Sequence, residues 1–150
     1  MKKDVLISIR GIQRIDDDKE ETELFTHGNY YHRENEYYII YEESGATGYD
    51  GSRITLRINE AGNKVTLVRS GSARSHLVIE SGCRNIGHYG TTEGELVIGV
   101  NTRMIDSRLT DQGGDLHFSY SLDINSSLVS ENEVYIKVKE NNENGVGANG

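Results

Sequence analysis

The chain contains no proline, so no position is barred from donating to a strand ladder. It has one cysteine, Cys83, and a disulfide within the chain is therefore excluded. Nor does it contain a run near the roughly 20 apolar residues of a membrane-spanning helix. Asp4 and Arg10 also bracket the short apolar stretch Val5–Ile9, too short for the core of a secretion signal. The lone cysteine and this N-terminus point to a cytoplasmic protein, with no membrane partner. Basic charge is scarce too, with 16 basic against 24 acidic residues and a net charge of −8. Neutralising phosphates needs a basic face, so no nucleic-acid partner is expected. Finally, no window sustains apolar residues at helical spacing, which leaves little or no helix.

What the chain does have is seventeen glycines and repeated two-residue alternation. A chain of 150 residues buries roughly 70% of its unfolded surface, enough for a core without crosslinks. Val5, Ile7 and Ile9 share one face of a first strand over residues 3–15, and the charged run Asp16–Glu21 reads as a solvated connection. A second strand follows over 22–32, with Gly28 as an expected bulge. Residues 37–71 give three more strands, Tyr37–Glu43, Arg53–Ile58 and Lys64–Arg69, with glycines 45, 48 and 51 in the first connection. Ala73–Glu80, Asn85–Tyr89, Glu95–Ile105 and Asp115–Asp123 come next, then a last strand carrying Val134, Ile136 and Val138. In Glu95–Ile105, the residues Leu96, Ile98, Val100, Thr102 and Met104 are expected on one face, and 106–114 as a loop.

Many short strands at about ten-residue spacing indicate an all-β fold. Short sequential hairpins favour an antiparallel meander, and full closure would remove its exposed edges. The expectation is a single up-and-down barrel of about eight to ten strands over residues 1–140. The polar tail 141–150 is expected to be disordered.

Tyr41–Glu42–Glu43, Arg69–Ser70–Gly71, Tyr89-x-Thr91-x-x-Gly94, Thr102, and Leu116 with Tyr120 and Leu122 occur in that order. Together they resemble the YwiB-like bacterial family of unknown function, from about residue 3 to residue 140. The resemblance implies a calycin-type barrel, similar to lipocalins, and implies no activity. Where that pattern would place a proline and an aromatic, this chain has Thr92 and Glu93.

Two charges share the apolar phase of their strands. Arg69 follows Val65 and Leu67, and Glu43 follows Tyr37, Ile39 and Tyr41. An ionised group in a barrel interior must be paired or hydrogen-bonded. One reading makes Arg69 an anchor for an anionic ligand, flanked by Glu43, Tyr41, Tyr89 and Tyr120, since its fork suits bidentate recognition. The other makes Arg69 and Glu43 an internal pair, or strand-end side chains reaching water. On the opposite face Tyr38 and Ile40 offer a self-association patch, unless the N-terminal strand or a loop covers them.

The five histidines lack metal spacing, and Cys83 with His88 falls short of a zinc set. The glycines at 45, 48 and 51 precede a strand, whereas a phosphate cradle precedes a helix. No catalytic constellation and no cofactor motif is found. The sequence thus points to a non-enzymatic barrel holding a small apolar or anionic ligand, with a homodimerisation module as alternative and an enzyme as the remotest reading.

Overall fold

The computed structural model describes residues 2–43, 51–71, 73–91 and 93–141. Of the expected tail only Asn141 is described, its amide donating to the Asp4 carbonyl at 3.0 Å; residues 142–150 and the glycines at 45 and 48 lie outside the described residues. Ten strands follow in order: β1 (Lys3–Ile15), β2 (Asp18–Arg33), β3 (Glu36–Glu42), β4 (Arg53–Asn59), β5 (Lys64–Ser70), β6 (Ser75–Glu80), β7 (Arg84–Thr91), β8 (Gly94–Thr110), β9 (Gly113–Ile124) and β10 (Ser127–Glu140). Each pairs antiparallel with its chain neighbours, and β1 closes against β10 from Val5↔Glu140 to Arg14↔Glu131. The up-and-down barrel expected from the hairpin spacing is what forms. No helix among the described residues is long and apolar enough to cross a membrane.

Turn chemistry fixes the hairpins. Glu34–Asn35 and Asn125–Ser126 all have positive φ, the pairing that matches a two-residue turn to strand twist. Alternate residues then point inward, and Val5, Ile7, Ile39, Ile54, Leu56, Ile58, Val65, Leu77, Ile79, Leu116 and Phe118 are fully buried. Burying each such side chain contributes about 1.5–3 kcal/mol before chain entropy is subtracted. The odd-numbered residues of β3 face inward as expected, and Tyr38 and Ile40 face outward, both half-buried.

Four local expectations are corrected. The Asp16–Glu21 run is not a loop: only Asp16 and Asp17 turn the chain, and β2 begins at Asp18, because the ladder to β1 continues as far as Ile15↔Asp18. Gly28 is not a bulge, since its register is unbroken toward both β1 and β3. Its lack of a side chain is used otherwise: a Cβ there would collide with the Ile40 carbonyl and the Ile7 side chain. The bulges lie at Arg103 and Val129, each an extra residue in its ladder. The first moves the inward phase of β8 by one, so Met104 sits opposite the outward-facing Ser119 while Ile105 and Leu109 turn inward. That shifted alternation carries the strand to Thr110, and the expected loop over 106–114 shrinks to Asp111–Gln112.

Strand lengths are unequal, and this shapes the interior. β3 to β7 have 6 to 8 residues, while β2 has 16. β3 pairs with β2 only from Gly28 to Arg33, so Asp18–His27 extends past the end of β3.

Gly28→Ala is expected to destabilise the fold by about 1–3 kcal/mol, the usual cost of overpacking a filled interior. Urea denaturation measures it, and an unchanged midpoint would contradict the close approach.

Candidate functional site

The two inward charges meet at the end of the barrel where β3 stops. The Arg69 Nε donates to Glu43 Oε1 at 2.7 Å and Nη2 donates to Oε2 at 3.2 Å, a bidentate fork on one carboxylate. Nη1 donates to Ser75 Oγ at 3.3 Å, and that hydroxyl also accepts from the Gly90 amide at 3.1 Å. The Glu43 amide donates to the Ser52 carbonyl at 2.8 Å. The side chains are 11% and 4% exposed, so the pair is internal. The reading of Arg69 and Glu43 as each other's partner is therefore the geometry found. An anion would have to compete with Glu43 for the same fork.

Beside this pair lies a cavity of about 270 Å³. Glu43, Arg69, Tyr41 and Tyr120 line it, as do Leu56, Leu67 and Val134. Tyr89 packs on the core but does not line this cavity. Tyr120 is 8% exposed, and burial pushes its pKa up. The Tyr41 pKa is also raised, by burial first and then by the Glu43 charge. Neither hydroxyl has a hydrogen-bond partner among the described residues. Across the cavity, Gln13 Nε2 donates to Asn132 Oδ1 at 3.2 Å, and Asn132 Nδ2 donates to Ser130 Oγ at 3.0 Å.

The sequence reading missed Glu20, Thr22 and Leu24, which form the β2 wall of the cavity. They share the phase of Gly28 and Tyr30, so the two-residue alternation was the signal available. Charge at 16–21 masked it at Glu20, whereas Thr22 and Leu24 fall within the strand expected over 22–32. Tyr38 and Ile40 lie outside the cavity. Tyr38 stacks on Tyr31 with ring centroids 4.4 Å apart, and its hydroxyl donates to Glu36 Oε1 at 3.5 Å.

At the other end, His32 joins two turns. Its Nδ1 is 2.7 Å from Asp111 Oδ1, and its Nε2 bonds Glu60 Oε2. The ring stacks on Tyr37 at 4.3 Å. Hydrogen bonds to Asp111, then to Glu60, raise its pKa above the ordinary histidine value. Below this cluster, the Tyr30 hydroxyl donates to the Thr110 carbonyl at 2.6 Å. That end is bridged by these side chains, and the cavity lies at the Arg69 end.

Glu43→Ala should cost about 3–5 kcal/mol, because it strands a buried guanidinium. The double variant Glu43→Leu/Arg69→Met should recover most of that loss. Equal destabilisation of the single and double variants in chemical denaturation would show that the pair is not coupled. For His32, a raised folded pKa means stability that is fully present below the unfolded value of about 6.5 and lost as pH rises through the folded one. The stability advantage of wild type over His32→Gln should thus shrink between pH 6 and pH 9. A constant difference would contradict the bridging geometry.

Comparison with known proteins fits these observations. Residues 7–136 match a family described as a domain of unknown function, DUF1934. An uncharacterized β-barrel protein of Bacillus subtilis strain 168, YwiB, is 26% identical over 126 residues, covering 83% of this chain and 86% of its own length. The crystal structure of the ywiB protein from Bacillus subtilis superposes with a TM-score of 0.79 at 20% identity, covering 93% of each chain, and so shares the fold. The ten-strand barrel and the match over residues 7–136 lead to one conclusion: this chain belongs to the DUF1934 family of YwiB-like proteins, whose function is unknown.

Proposed function

We propose that this chain is a non-enzymatic binding barrel that holds one small molecule at the Arg69 end of its interior. The observation that carries the reading is the pair of cavity-lining tyrosines, Tyr41 and Tyr120, whose hydroxyls lack protein partners among the described residues. Neither hydroxyl is among the fully enclosed unpaired polar atoms of the described residues, so both open onto the cavity, and accessible hydroxyls beside open volume are sites for a guest's polar group. Leu24, Leu67 and Val134 supply the apolar wall.

The volume, about 270 Å³, lies just under the roughly 300 Å³ at which drug-sized pockets begin. This supports a metabolite-sized guest over a long-chain fatty acid. The Arg69–Glu43 fork counts against an anionic one. Its role is to hold the floor of the cavity. Kinship with calycins such as the lipocalins belongs to the same proposal, since closed barrels of this size fill their interior or hold one ligand. A cytoplasmic location is proposed from the single cysteine, which is exposed and free. Self-association through Tyr38 and Ile40 draws less support, because both are half-buried and Tyr31 already covers the Tyr38 ring.

Native mass spectrometry of protein purified at neutral pH should show a bound small molecule. Leu24→Trp, which fills the cavity from its β2 wall, should not. A guest at 100 times its Kd adds about 2.7 kcal/mol of stability, readable as a thermal shift. A bare wild-type mass, with no shift from a metabolite library, would overturn the proposal.

A further inference from the structure

The charge inside the cavity goes beyond size in naming a ligand class. Four carboxylates line it, from Glu20, Glu23, Glu43 and Glu133, against one cation, Arg69. Glu43 and Arg69 neutralise each other through their fork, and Glu133 accepts from Arg14 Nη1 at 2.8 Å. Glu20 differs. It is in the inward register of β2, opposite Gln13, and has no ion-pair partner among the described residues. The cavity is thus left with an uncompensated negative charge at its mouth.

A second, independent feature lies deeper. Tyr120 is more than nine-tenths buried, its hydroxyl lacks a partner among the described residues, and with Tyr41 and Phe118 it gives the cavity an aromatic lining. Aromatic faces attract organic cations, more strongly where water is excluded. A phenol oxygen and the Asn132 carbonyl oxygen both accept hydrogen bonds from an ammonium group. The chain's net charge of −8 also favours cation approach at distance.

Resting on the binding reading above, we propose that the cavity takes a small organic cation of the alkylammonium class. Its charged nitrogen sits between the Glu20 carboxylate and the Tyr41 and Tyr120 rings, and its alkyl part lies on Leu24, Leu67 and Val134. Glu20 is the residue that sets the sign of the ligand's charge. Arg69 is excluded from contact with an anion by Glu43 and acts only in holding the cavity floor.

The test compares three probes of equal carbon count, butylammonium chloride, butanol and sodium butyrate, by two-dimensional NMR titration of the full chain. Butylammonium should bind tightest, with shifts at Leu24, Tyr41 and Tyr120, and binding should weaken with added salt. Glu20→Gln changes an exposed residue and leaves the fold intact. It should weaken butylammonium about fivefold and leave butanol unchanged. Tighter binding of butyrate, or no loss in Glu20→Gln, would overturn the cation assignment while the cavity stands as a binding site. No shift with any probe, together with an empty cavity in native mass spectrometry, would overturn both.

Discussion

The Arg69–Glu43 pair is the constraint on which the open end of the barrel depends. A buried ion pair contributes little net stability over apolar residues of equal size, because desolvation offsets the attraction. Its effect here is positional. The ladder between β6 and β7 has two register pairs, Ser75↔Tyr89 and His76↔His88, fewer than any other seam of the barrel. Arg69 reaches across to Ser75, whose hydroxyl takes the Gly90 amide, while Glu43 anchors the end of β3. One guanidinium thus ties β3, β5, β6 and β7 together where backbone pairing is weakest.

The same pair divides the interior. Toward the His32 end, Val5, Ile7, Tyr30, Ile39 and Ile58 fill the barrel with almost no exposure. Toward the Arg69 end the inward residues turn polar: Gln13, Glu20, Thr22, Asn132 and the tyrosines. Polar groups resist close packing unless each finds a partner. The arrangement satisfies Asn132, Arg69 and Glu43 but leaves the Tyr41 and Tyr120 hydroxyls facing free volume. The overhang of β2 beyond β3 supplies the remaining wall, so the cavity is a consequence of unequal strand lengths as much as of side-chain choice.

Much of this was legible in the sequence. Alternation located the strands, and the presence of Arg69 and Glu43 in apolar phase was enough to place both inside. Three features were hidden. The β1–β2 hairpin carries Asp16, Asp17, Asp18, Glu20 and Glu21, and charge at that density reads as loop although the backbone continues its ladder. The Arg103 bulge inserts one residue and reverses inside and outside along β8, so Met104 takes the face opposite to the one that alternation with Thr102 implies. Its trace is the change from Ile98 and Val100 to Ile105 and Leu109. The cavity itself depends on which strands overhang, a property of register between distant segments that no single window contains.

The central claim is that the volume beside Tyr41 and Tyr120 is a built binding site and not a packing fault. A high-resolution crystal structure of the protein as purified tests it most directly. The predicted result is non-water density contacting the Tyr120 hydroxyl, with the Arg69–Glu43 fork intact beneath it. A closed interior, with Tyr41 or Leu24 turned in to fill the space, would contradict the account.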